Sequence, residues 1–188
     1  MNFVSPIRDK KQIEIMKIYL KSKSKRDYLM FVLGINSALR ISDILGLHVN
    51  DVWQNNKPRE FIKVREQKTG KLKRFPITKN LSKALHEYMK EYNPSAQSYL
   101  FFSKKGYNKP LSRQQASSII SKTANYIGIK EPINTHSMRK TWGYWAYKNG
   151  VSIALIMEAL NHSSISNTKK YLGITQQDLD NVYLNLNL

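Results

Sequence analysis

Along the chain, apolar residues recur first at helical spacing, then in strict alternation, then at helical spacing again. Residues 10–21 bring Ile13, Met16, Ile18 and Leu20 near one another on a helix, and residues 26–38 do the same for Leu29, Val32, Leu33 and Ile35. Ser42 stands where it can cap a short helix over residues 43–47. Between residues 61 and 77 the period falls to two. Ile62 and Val64 alternate with Lys63 and Arg65, Thr69-Gly70 supplies a turn, and residues 72–77 return, which predicts a hairpin with a strongly basic polar face. Pro76 has no amide hydrogen for an interior ladder, so the returning strand belongs at an edge.

The remainder reads as helix. Residues 81–92 are amphipathic and end at Asn93-Pro94, while Ser112 and Gln115 form a capping box for a helix that reaches Tyr126 and closes at Gly128. Thr135 is the expected cap of a helix running to Lys148 and stopped by Asn149-Gly150. Ser152 is expected to start another through Leu160, and Thr175 to open a last short one. The predicted fold is mainly α with one small antiparallel β hairpin insert. One domain is expected over residues 1–188, since no repeat, low-complexity stretch or linker divides them.

Composition adds a partner to this picture. Of 188 residues, 41% are hydrophobic and 11% aromatic, enough to build a core, so the charge does not mark a disordered tail. Lys and Arg number 31 against 13 Asp and Glu, a formal balance of +18 that repels itself and calls for a polyanionic partner. The absence of Cys excludes disulfides, thiolate metal sites and cysteine nucleophiles together. The longest apolar runs, residues 29–33 and 151–160, fall short of a membrane span, and the N-terminus lacks an apolar signal segment. A cytoplasmic protein with no membrane partner is expected.

No glycine-rich phosphate loop, HExxH, EF-hand loop or GxSxG occurs, so the residues left to carry chemistry are basic. Four segments stand out: Ala38-Leu39-Arg40-Ile41-Ser42-Asp43-Ile44-Leu45, Gln67-Lys68-Thr69-Gly70, His136-Ser137-Met138-Arg139, and residues 162–171. Taken singly, each has an ordinary reading. Arg40 can pair with a local carboxylate such as Asp43, Lys68 suits any exposed hairpin turn, and His162 can cap a helix C-terminus. His136 and Arg139 lie three apart and can grip one anion from one helix face.

Together, and in this order, the segments resemble the catalytic domain of the tyrosine recombinase, or phage integrase, family. Ala-Leu-Arg-Ile-Ser-Asp-Ile-Leu-Gly-Leu is similar to the family's first-arginine motif, with Arg40 as that arginine and Asp43 at its acidic support position. Lys68, followed by Lys-Arg-Phe-Pro-Ile, resembles the hairpin lysine, and His136-Ser-Met-Arg139 resembles the HxxR motif. The segment from Leu160 through His162 to Tyr171 resembles the last box, although Asn161 replaces its usual glycine. Most family members carry an N-terminal DNA-clamping domain, which is not expected in this chain; the fimbrial-switch invertases are similar in this respect.

The resemblance implies the recombinase catalytic-domain fold and a reaction in which Tyr171 attacks the scissile phosphorus, forming a 3′-phosphotyrosyl link and releasing a 5′-hydroxyl. It implies that Arg40 and Arg139 clamp the non-bridging oxygens, that His162 adds a hydrogen bond, that His136 assists proton transfer and that Lys68 is the general acid. Neither metal nor cofactor is implied. Lys63, Arg65, Lys71, Lys73 and Arg74 around the hairpin are the expected DNA-backbone contacts, with Lys21, Lys23, Lys25 and Arg26 as further candidates. A monomer assembling to a tetramer on DNA is expected, with accessory DNA-bending proteins and a nucleoid location. The apolar tail of residues 178–188 is expected to dock on a neighbouring protomer across a hinge at Gly173. A type IB DNA topoisomerase and a DNA-binding regulator without catalysis are the rival readings. Retention of all six residues Arg40, Lys68, His136, Arg139, His162 and Tyr171 argues against the second.

Overall fold

The core is built on α2 (Lys25–Ser37), which follows α1 (Lys10–Lys23). Ser24 serves both helices: its amide donates to the Leu20 carbonyl at the end of α1, and its hydroxyl accepts from the Asp27 amide at the start of α2. α1 buries one stripe, Ile13, Met16 and Leu20, whereas α2 buries every residue from Tyr28 to Gly34. A helix apolar on all sides must be enclosed, and α2 is the axis around which α1 and α5 (Lys79–Tyr92) pack. Its C-cap, Ala38, adopts left-handed backbone angles, φ 53° and ψ 18°, a conformation that strains a residue with a Cβ.

The computed structural model describes residues 4–104 and 108–174 together with positions 176, 180, 183 and 184. It divides into two compact units, Met1–Trp142 and Gly143–Leu188. In the first, α3 (Ile41–Leu45) begins two residues earlier than expected. The Arg40 carbonyl accepts from the Asp43 and Ile44 amides and so starts the helix, leaving Ser42 inside it rather than capping it. α4 (Val49–Val52) then leads into a small ribbon, β1 (Trp53–Gln54) and β2 (Lys57–Pro58). Asn55 and Asn56 turn that ribbon at φ 52° and 57°, angles that asparagine tolerates better than most residues.

The expected hairpin is present as β3 (Phe61–Arg65) paired antiparallel with β4 (Leu72–Pro76), in register from Phe61 opposite Pro76 to Arg65 opposite Leu72. Residues directly opposite share a face. Ile62 and Val64 therefore lie on the same face as Phe75 and Lys73, while Lys63 and Arg74 share the outer one. α6 (Arg113–Tyr126) has both hydrogen bonds of its Ser112–Gln115 capping box, each at 3.1 Å. α7 (Thr135–Lys148) starts at Thr135, and its cap is Asn134, whose Oδ1 accepts from the His136 amide at 2.8 Å.

The division between the units falls within α7. In the second unit, α8 (Ile153–Ala159) is capped by Ser152 as expected, and α9 (Ile165–Leu172) is capped by Ser164 and closed by Gly173 at φ 70°. A Cβ at Gly143 would meet Leu172 Cδ2 at 2.8 Å, so this glycine permits α9 to approach α7. The expected helix start at Thr175 lies outside the described residues. Among the described residues, no helix is long and apolar enough to cross a membrane.

Candidate active site

The first unit gathers two arginines around one carboxylate. Glu66, only 1% exposed, lies 2.9 Å from Arg40 Nη1 and 4.0 Å from Arg139 Nη1. Arg40 sits just before α3, Arg139 on α7, and Glu66 directly after β3, so three separate parts of the fold meet at this point. Arg40 thus pairs with Glu66 rather than with its sequence neighbour Asp43. The 2.9 Å approach is an ion pair and not an aligned hydrogen bond: Arg40 Nη1 is buried with no hydrogen-bond acceptor among the described residues. A buried guanidinium N–H without an acceptor is costly unless an incoming anion can supply one.

Asp43 has a different task. Its buried carboxylate accepts from the Gln67 amide at 2.9 Å through Oδ1, fastening the residue beside Lys68 to α3. The tip is tightened further by Gly70 N–H donating to Glu66 O at 2.8 Å and by the Thr69 hydroxyl donating to Glu66 Oε2 at 2.8 Å. Lys68 itself is exposed on this anchored tip, as are Lys63, Arg65, Lys71 and Arg74 on the hairpin. Arg74 stacks its guanidinium 4.0 Å from the Phe61 ring centroid. Lys73 points the other way: its Nζ donates to the Ala38 carbonyl at 3.3 Å, and Arg139 Nη1 donates to that same oxygen at 2.6 Å.

Electrostatics follow from this crowding. Burial, and then the positive charge of Arg139, push Lys73 down from its ordinary 10.5 to about 8, against the opposing pull of Glu66 and with a smaller push from Arg40. His136 lies at the surface, yet neighbouring atoms desolvate one side of its ring, and Arg139 and Lys140 add positive charge. All three hold it below the usual imidazole value. The surroundings thus favour its neutral form over the charged one. Arg26, considered above for DNA contact, is instead buried, ion-paired with Asp27 at 2.7 Å and donating to the Phe102 carbonyl at 2.7 Å.

The second unit holds the remaining two residues. Asn161 takes up the left-handed turn after α8 at φ 50°, the position where the motif more often has glycine, and His162 follows at once. Thr168 Oγ1 lies 3.1 Å from His162 Nδ1 and 3.1 Å from the Ser164 carbonyl, which fixes the imidazole against α9. Tyr171, one helical turn beyond Thr168, is half-buried and meets the His162 ring edge-to-face, with centroids 4.9 Å apart and an angle of 78°. Histidine and tyrosine are thus brought together within one helix-turn-helix.

Three contributors escape a reading by segments: Glu66, the inward turn of Lys73, and Thr168. The second carries a signal in the hairpin register, since a residue opposite Val64 must share its buried face. Among the described residues, no group of three His, Cys, Asp or Glu is arranged to hold a metal ion.

Comparison with known proteins gives the family. The sequence profile of the Phage integrase family matches residues 7–178. The probable integrase/recombinase YoeC of Bacillus subtilis is 44% identical over 94% of this chain and 93% of its own length. A tyrosine recombinase of Pseudothermotoga lettingae is 30% identical over 88% of this chain, which spans 56% of that relative. The crystal structure of XerA recombinase superposes with a TM-score of 0.79 at 20% identity, covering 98% of this chain and 66% of that one. XerH recombinase, in a post-cleavage complex with palindromic difH substrate, gives 0.76 at 18% identity over 97% of this chain and 53% of that one. At such identities the likeness is one of fold, and the predicted fold class holds. With the profile matched over most of its length, the chain belongs to the phage integrase family, as a tyrosine recombinase catalytic domain.

Proposed function

We propose that residues 1–188 act as one catalytic domain that cleaves and rejoins DNA at a specific site through a 3′-phosphotyrosyl intermediate. The observation that carries this reading is the pair of arginines, half-buried Arg40 and buried Arg139, arranged about Glu66. Such a pair suits a scissile phosphodiester, whose non-bridging oxygens gain negative charge in the transition state. Tyr171 Oη attacks phosphorus while the P–O5′ bond breaks. The phenolic proton passes toward neutral His136, and Lys68 delivers a proton to the departing 5′ oxygen. In the second half, a 5′-hydroxyl attacks the phosphotyrosyl link, the P–Oη bond breaks, and tyrosine regains its proton. His162 donates to the phosphoryl group, its ring steadied by Thr168. Asp43 supports the site by anchoring the hairpin tip. The arginines and Lys68 supply the positive charge themselves.

Lys63, Arg65, Lys71 and Arg74 form the backbone-contacting face of the hairpin, and their exposure supports that role. We further infer a monomer in solution that assembles to a tetramer on double-stranded DNA, aided by DNA-bending proteins and associated with the nucleoid. Most of the tail of residues 178–188 lies outside the described residues, but Tyr183 and Leu184 are 77% and 73% exposed, which supports docking on a neighbouring protomer.

The test uses nicked suicide duplexes carrying the sequence that the protein selects from a randomised duplex pool. The wild-type chain should yield a covalent protein–DNA band, and Tyr171→Phe should bind the same duplex and yield none. A band persisting in that variant would move the nucleophile elsewhere. Relaxation of supercoiled plasmid lacking the selected site would favour a type IB topoisomerase instead.

A further inference from the structure

Lys73 was grouped by sequence with the DNA-contacting lysines, but the hairpin turns it inward. It lies opposite Val64 on the buried face of the ribbon, apart from Lys63, Arg65 and Arg74. Its ammonium reaches the carbonyl of Ala38 at 3.3 Å, and Arg139 reaches that oxygen at 2.6 Å from α7. A carbonyl oxygen has two lone pairs and can accept from both. Ala38 is also the strained left-handed residue that ends α2, two positions before Arg40. One backbone oxygen thereby ties together the hairpin, the loop carrying Arg40 and the helix carrying Arg139.

We propose that Lys73 is a positioning residue: its ammonium, sharing the Ala38 carbonyl with Arg139, sets the arginine pair in place, and the pair grips a phosphodiester only while Lys73 is charged. The groups that face Lys73 are Arg139 on α7, Arg40 ahead of α3, Asp43 on α3 and Glu66 after β3. With Lys73 charged, three cations face two carboxylates, and the cluster keeps a positive charge to offer an anion. Once Lys73 is neutral, the carboxylates balance the arginines. Glu66 then competes with the phosphate for both guanidiniums, and the net attraction for an anion is gone. The charge is lost in an accessible range, because burial and Arg139 bring the group to about 8.

The proposal rests on the strand-transfer reading only for its activity arm, so two readouts are needed. The first is the pH dependence of the Arg139 side-chain Nε–H resonance in wild type, Lys73→Arg and Lys73→Met. The wild-type resonance should move with a midpoint near 8, and in Lys73→Arg, which stays charged, that step should vanish. The second is the rate of covalent adduct formation on the selected suicide duplex. The ratio of Lys73→Arg to wild type should rise about tenfold between pH 7 and pH 9, one decade for each unit beyond the midpoint. Lys73→Met should bind the duplex yet form adduct at least about tenfold more slowly at pH 7. A Lys73 midpoint near 10.5, an Arg139 resonance indifferent to it, or a Lys73→Met variant as fast as wild type overturns the proposal. If wild type forms no adduct at any pH, the strand-transfer reading fails, and the positioning role stands or falls on the Arg139 resonance alone. Lys73→Arg gives that answer even if Lys73→Met does not fold.

Discussion

At the scale of single residues, a lysine depressed from 10.5 to about 8 is a stability statement. The fold disfavours the charged form, so at neutral pH the ammonium costs stability that an apolar side chain would not. Each unit of pKa is worth about 1.4 kcal/mol, and part of the gain on removal is offset by the lost hydrogen bond to Ala38. We therefore expect Lys73→Met to stabilise the domain by about 1–2 kcal/mol at pH 7, a rise of several degrees in melting temperature, while strand cleavage falls. The sign with pH is fixed. Between about 8 and 10.5 the unfolded chain holds a proton that the folded one has released, so wild-type stability gains on that of Lys73→Met as pH rises through this window. Denaturant titrations of both proteins across the window check this, and a constant difference would show that Lys73 is not strained.

The elements act by holding residues to about an ångström, and Gly143 is the clearest instance. Alanine there would place its Cβ 2.8 Å from Leu172 Cδ2 unless that side chain moves, and Leu172 adjoins Tyr171 on α9. We expect Gly143→Ala to cost about 1–2 kcal/mol by overpacking and to slow adduct formation more than it weakens DNA binding. Equal loss of both would mean that α9 had unfolded rather than shifted. Much of this level was legible in the chain. The 3.6-residue period located α1, α2, α5 and α6, and alternation located β3 and β4, because these runs are long enough to show their period. The ribbon β1–β2 was not, since two-residue strands have no period. The start of α3 was set by the Arg40 backbone carbonyl, which accepts from the Asp43 and Ile44 amides and which a search for a capping side chain overlooks, and Thr135 lost the cap to Asn134, which forms an Asx-type bond one residue upstream. At the site, motif order gave Arg40 and Arg139, but Glu66, their shared partner, is 26 positions from one and 73 from the other. Only folding joins them.

For the whole molecule, a charge of +18 makes DNA affinity an ion-exchange reaction. Each backbone contact releases close to one counterion, so Lys63→Gln should lower the steepness of log K against log salt by about one and weaken binding to all sequences alike. An unchanged slope with weaker binding would remove Lys63 from the contact face. The hairpin's positive outer face has a second consequence. Among the described residues β3 and β4 form a sheet of two strands, and each has one side unpaired by the other. A ribbon of that kind is a template on which another copy can add a strand, and charge along its rim is what forbids it. Lys63, Arg65, Lys71 and Arg74 would then keep the protein from itself as well as bring it to DNA. Neutralising all four to suppress background DNA binding should leave the fold intact yet yield β-rich aggregates on concentration. Light scattering and a dye specific for cross-strand stacking would reveal them, and a clear solution at the solubility of the parent would show that the edges are guarded by something other than charge.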